Sequence, residues 1–242
     1  MVVAWLLLSP ANAAVADLVW GAASGVAGAA GVLFLYKGLA DGRMSVVAPL
    51  IGLVAAGIPV VVSPLLGEVP SALALVGIVI ALAAIALVSR EGDPHSEDRT
   101  VAVMTRQAMI VVAIASGTCF AGLFLLLDQT SADSGLWPLV ANKAAAIVVI
   151  GMYGLAIART GLRVPRPAFG TVLACAVAGT MAEVLLVLSL QKGLVAIAAV
   201  LTSLYPGSTV LLARFVLHER LRTDQLAGFV LAAVAVTLIA VS

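Results

Sequence analysis

Apolar residues run along this chain in long blocks, and the charges gather in the short gaps between them. Eight blocks can be marked, at about 17–38, 44–66, 69–89, 107–127, 135–158, 168–190, 194–217 and 223–241. Each is close to the roughly 20 residues that a helix needs to cross a bilayer. In lipid, each backbone donor and acceptor must be satisfied within its own segment, so blocks this long and this apolar are predicted to be helices. The pattern predicts an all-α polytopic membrane protein with eight full spans. A ninth stretch, Met1 to Leu8, is too short to span and reads as the tail of a further helix. The small residues from Ser9 to Ala13 would suit a signal-peptide cleavage site, but the positive segment that opens such peptides is missing.

The two halves of the pattern match each other. Displaced by 151 residues, Leu39, Gly42, Ala48, Leu50 and Leu53 fall on Leu190, Gly193, Ala199, Leu201 and Leu204. Leu66, Glu68, Leu75 and Gly77 fall on Leu217, Glu219, Leu226 and Gly228. Matches of Ala, Leu or Val are cheap in a membrane protein; the glycines and the lone acid carry the weight. The block at 17–38 corresponds to the block at 168–190, five helices later. Five is odd, so matched helices are expected to cross in opposite directions, giving an inverted repeat of the kind secondary transporters use. The implied architecture is five helices plus five. The segment 1–89 is then a first repeat lacking its first helix and part of its second, 90–106 a cytoplasmic linker, and 107–242 the second repeat.

Charge fixes an expected orientation. Lys37, Arg43, Arg90, Arg99, Arg106, Arg159, Arg163, Arg166, Arg214, Arg220 and Arg222 fall in or beside one alternate set of loops, and the other set carries only Lys192. Cytoplasmic loops carry the excess of Lys and Arg, which places Ser242 outside and the protein in the cytoplasmic (inner) membrane. Composition adds little beyond this. The chain is 63% hydrophobic and 10% charged, with 22 glycines that would let helices approach closely. The net charge of +1 and the lack of a basic stripe give nucleic acid nothing to bind. Cys119 and Cys175 both lie inside apolar blocks and read as small buried hydrophobes.

Four segments carry a resemblance to a known family: LYKGLADGRMSVVAPL (35–50), LLGEVPSALALVGIVIALAAIALVS (65–89), LDQTSADSGLWPLVANK (127–143) and the stretch 199–240 with its Leu-Tyr-Pro, its Glu219 thirteen residues on and its Gly228 nine later. They resemble the EamA-like branch of the drug/metabolite transporter superfamily. The resemblance implies a ten-helix permease of two five-helix repeats that moves small organic solutes, and it names no substrate. The chain departs from that pattern at its start, and it has Ala55 where the second half has Pro206.

Candidate site residues follow from polar or helix-breaking positions within the blocks. Pro206, in Ser203-Leu-Tyr-Pro-Gly-Ser208, removes a backbone bond mid-span, and the matching block 44–66 is broken by Gly52, Gly57 and Pro59. Paired interruptions in corresponding spans are a pointer to a transport site; the plainer alternative is a packing kink. Lys143 and Glu183 are the clearest ionisable residues inside blocks, and they lie at matching depth on adjacent antiparallel helices, so they could pair. Charges in a bilayer usually face a cavity or each other. The alternative is that Lys143 snorkels outward and Glu183 sits at the interface. Within a cavity, Glu183 would be a candidate proton-coupling carboxylate. Trp137, Asn142, Thr202, Ser203 and Tyr205 are candidates to line the same cavity, with an interfacial aromatic belt as the competing role for Trp137. Glu68 and Glu219 stand at helix starts, where a carboxylate favours the helix N-terminus, and read as structural. The linker around His95 fits no zinc spacing, and neither a metal nor a cofactor is expected.

The expected function is that of a secondary transporter, a permease or exporter of a small organic metabolite or drug working by alternating access. Its expected partners are a small-molecule solute, protons as a candidate coupling ion, the lipid bilayer and, as an option, a second copy in a homodimer. A non-transporting scaffold or inactive fragment is the alternative. An intramembrane enzyme ranks below both, because His95 and His218 lie in loops and no nucleotide or diphosphate motif is present.

Overall fold

The computed structural model describes residues 14–41, 44–67, 70–88, 104–158, 169–191, 195–203 and 223–241. Among them are eight α-helices: α1 (Val15–Asp41), α2 (Met44–Val62), α3 (Ala72–Val88), α4 (Arg106–Asp128), α5 (Trp137–Ala158), α6 (Phe169–Leu190), α7 (Val195–Thr202) and α8 (Thr223–Val241). Each overlaps one of the apolar blocks. Short 3₁₀ turns at Ser63–Leu66 and Ala132–Ser134 complete the described secondary structure. Four helical segments, Val15–Asp41, Arg106–Asp128, Trp137–Ala156 and Phe169–Leu190, are long and apolar enough to cross a membrane; Leu50–Leu65, Ala72–Ile85 and Val230–Ile239 are shorter apolar stretches. The Met1–Leu8 stretch, most of the 90–106 linker with His95, and Glu68, Glu219, Tyr205 and Pro206 lie outside the described residues.

The chain forms two compact units, each drawing on both halves of the sequence. Unit 1 takes residues up to Ala30 together with Gly122–Gly193, and unit 2 takes Gly31–Ala121 together with Leu194–Ser242.

Unit 2 is held by small and branched apolar side chains. Ala56 of α2, Ile78, Ala81 and Ile85 of α3, Ala196 and Val200 of α7, and Ala235 and Ile239 of α8 form one buried cluster. Val47 and Ile51 of α2 with Met109 and Ala113 of α4 form another. The helix pairs α2 with α7 and α3 with α8 pack together. Gly77, early in α3, sits where a Cβ would lie 2.8 Å from Ile239 Cγ1 and 3.2 Å from the Ala235 carbonyl oxygen, late in α8. The early turns of α3 therefore meet the late turns of α8, and the missing side chain of Gly77 eases their close approach. A polar tie is added: Ser116 Oγ of α4 donates to the Gly31 carbonyl of α1 at 2.8 Å.

In unit 1, one face of α1 is built from Asp17, Gly21, Ser24, Gly25 and Gly28, all buried. Their spacing of three and four residues places them in a single stripe. A Cβ at Gly25 would lie 2.8 Å from Asn142 Cα, so α5 lies with its backbone against that stripe. Helix α6 is largely exposed from Phe169 to Ala182 and buries Leu186, Val187 and Leu190 near its end.

Candidate functional site

Unit 1 collects four of the residues singled out by sequence. Lys143 is the seventh residue of α5, and Glu183 stands seven residues before the end of α6. At about 1.5 Å of rise per residue, both lie roughly 10 Å from those helix ends. Their side chains meet: Lys143 Nζ and Glu183 Oε2 form an ion pair, with 37% and 33% of the respective side chains exposed. The pair sits between two helices of membrane-spanning length. Partial exposure leaves both charged groups within reach of a third polar group, while each neutralises the other.

Asn142, the neighbour of Lys143, is turned the other way. It is 4% exposed, and its Nδ2 donates to Ser24 Oγ at 2.7 Å. Ser24 Oγ in turn donates to the Gly21 carbonyl at 2.6 Å. The amide is thus committed to the α1–α5 contact. Trp137 opens α5 half-exposed, and Pro138 beside it is buried against Gly21.

A second polar cluster in unit 1 surrounds Asp17. Its Oδ1 accepts from the Ser131 backbone N–H at 3.2 Å, and its Oδ2 accepts from Ser131 Oγ at 2.9 Å and from Ser134 Oγ. Thr130 Oγ1 donates to the Leu127 carbonyl at 2.7 Å. Gln191, just past α6, donates from Nε2 to the Gly135 carbonyl at 3.2 Å. Gly135 has φ 54° and ψ −125°, a conformation that a side chain would oppose.

In unit 2, Ser203 is buried at the end of α7, with its carbonyl oxygen 3.8 Å from where a Cβ on Gly52 would stand, and Thr202 is exposed. Ser203 thus lies beside the glycine-interrupted helix α2.

Sequence reading had passed over Asp17, Ser24, Ser131 and Ser134. A signal for part of this was present: Gly21 and Gly25, four residues apart in an apolar helix, are a close-packing pattern, and Ser24 lies between them. Asp17 gave no such signal, because an acid at the edge of an apolar block looks like an ordinary solvated charge.

Lys143 and Glu183 thus bring one cationic and one anionic group together at a partly exposed position. Among the described residues, no group of three or more His, Cys, Asp or Glu could hold a metal ion. Among curated proteins, none matches the chain. A model of the EamA-like transporter family matches residues 107–241, more than half of the chain.

Proposed function

The chain belongs to the EamA-like transporter family, a multi-pass membrane transporter of the drug/metabolite type, and from that premise we propose that it carries a small organic solute by alternating access, with Lys143 and Glu183 at the transport site. The observation that carries the proposal is their ion pair, set between two apolar helices and still partly open. A charge within a span is tolerated when it faces water, a solute or an opposite charge. Here each residue has its partner and can exchange it for a polar group of the solute. Glu183 is the candidate proton-coupling carboxylate, since protonating it would release Lys143. Trp137 and Asn142 are proposed as further residues of that site, and Thr202, Ser203, Tyr205 and Pro206 are proposed separately as solute-contacting or hinge residues. Asn142 acts from within the α1–α5 contact.

We further propose the inverted repeat as the frame for this site. Support comes from the match between the two halves of the sequence at a displacement of 151 residues. The matched helices α2 and α7, and α3 and α8, pack on one another. The early turns of α3 against the late turns of α8 agree with mates of opposite direction. The orientation proposed is cytoplasmic for the basic loops and external for Ser242, in the cytoplasmic membrane. A reporter fused after Ser242 should then read as external and one inserted near Asp93 as cytoplasmic; both reading on the same side would break the repeat.

Transport is tested in proteoliposomes given a panel of labelled amino acids, nucleosides and organic cations. Uptake of at least one above protein-free liposomes supports the reading. No uptake of any, by protein that is inserted and folded, favours a non-transporting scaffold.

A further inference from the structure

Asp17 is 6% exposed, at the start of a helix of membrane-spanning length. A buried carboxylate is costly unless hydrogen bonds or a cation satisfy it. Here three donors do so, and all three come from one short turn, 114 to 117 residues away along the chain. That turn, residues 131–135, leads directly into α5 at Trp137. The same turn accepts the Gln191 amide at the end of α6. The helix carrying Lys143 and the helix carrying Glu183 are therefore both indexed to one turn, and Asp17 ties that turn to α1.

The contact between α1 and α5 explains why such a tie is needed. Gly21 and Gly25 let the α5 backbone lie against α1. Packing of this kind lets the backbones approach, and the Asn142–Ser24 hydrogen bond adds one directional contact, between neutral groups, along the same interface. Hydrogen bonds to a charged group are directional and stronger than neutral ones, so they set register. A slip of α5 by one turn, about 5.4 Å, would carry Lys143 away from Glu183.

We propose that Asp17 is a positioning residue: its carboxylate clamps the 131–135 turn and thereby fixes the depth at which α5 presents Lys143 to Glu183 on α6. As a claim about transport, this rests on the reading of that pair as the transport site; as a claim about geometry, it does not.

The test separates the two. In the full chain, with Cys119 and Cys175 replaced by Ser, Lys143→Cys and Glu183→Cys are introduced together and bridged in membranes by bis-thiol reagents of graded length. With Asp17 present, yield should peak at one short spacer. Asp17→Asn should move the peak to a longer spacer, by up to about one helical turn, ~5.4 Å, or flatten it. A merely structural loss would lower the yield at every length and leave the peak in place, and that outcome overturns the proposal. So does an unchanged profile. Should Asp17→Asn fail to insert, Ser134→Ala, which keeps the carboxylate and removes one donor, carries the same expectation, and an unchanged profile there overturns it too. A shifted profile, alongside uptake of the panel solutes that Glu183→Gln leaves unchanged, would uphold the clamp and sink the transport-site reading.

Discussion

In unit 1 the helices meet through polar groups: Asp17 with Ser131 and Ser134, Asn142 with Ser24, Lys143 with Glu183, and Gln191 with the Gly135 carbonyl. Among the described residues of unit 2 they meet through alanine, valine and isoleucine, with a glycine at the contact of α3 with α8, and Ser116 adds a polar tie. Both kinds of contact are available to a membrane protein, because lipid tails are as apolar as leucine and give helices no hydrophobic reason to associate. Small residues permit contact cheaply. Polar groups cost more to insert and are worth keeping where a fixed register or a reactive charge is needed. Among the described residues, the difference teaches that unit 2 relies mainly on packing, whereas unit 1 holds particular groups at particular depths.

Substitutions can break or sharpen that contrast. The largest effect is expected at Gly25, where a Cβ would fall against the Asn142 backbone. Gly25→Ala should force α1 and α5 apart and cost about 1–3 kcal/mol, as overpacking does. Thermal unfolding in detergent would show a clear fall in midpoint; an unchanged midpoint would mean that the two helices are not so close.

A smaller loss is expected from Gly77→Ala in unit 2. There the nearest atom is the Cγ1 of Ile239, which can move, although the Ala235 carbonyl cannot. The cost should be about 1 kcal/mol, the low end of the overpacking range. If Gly77→Ala destabilised more than Gly25→Ala in the same assay, the tighter packing would belong to unit 2 and the contrast would be reversed.

Smaller again are the single hydrogen bonds. Interhelical hydrogen bonds in membranes average about 0.6 kcal/mol and reach about 1.7 at most. Ser24→Ala strips Asn142 of its acceptor in a buried contact and should fall near the top of that range. Ser116→Ala removes a donor from a backbone carbonyl in unit 2 and should fall near the average. Equal effects would say that the polar ties of unit 1 carry no special weight.

The helices were readable in the sequence because lipid imposes one simple demand, a long apolar run with its backbone bonds closed internally. The block at 107–127 became α4 at Arg106–Asp128, and the block at 168–190 became α6 at Phe169–Leu190. The Lys143–Glu183 contact was readable for a related reason: depth along a helix follows directly from residue count, and two opposite charges at one depth invite pairing. Asn142 shows the limit. Its depth was known, but which way it faced was not, and it turned toward Ser24 rather than the side Lys143 takes. The rotation of a membrane helix is set by its neighbours, and a helix that is apolar all round carries little amphipathic signal to reveal it. Asp17 was harder still, since its partners Ser131 and Ser134 lie more than a hundred residues away and share no pattern with it.

The most direct measurement is the uptake of the solute panel by proteoliposomes containing wild-type protein or Glu183→Gln, followed across pH. Glu183→Gln should insert as well as the wild type, keep a side chain of similar size, and lose uptake or its pH dependence, because Lys143 has lost its anionic partner. Equal uptake by the two proteins at every pH would reduce the pair to a structural tie and contradict its place at the transport site.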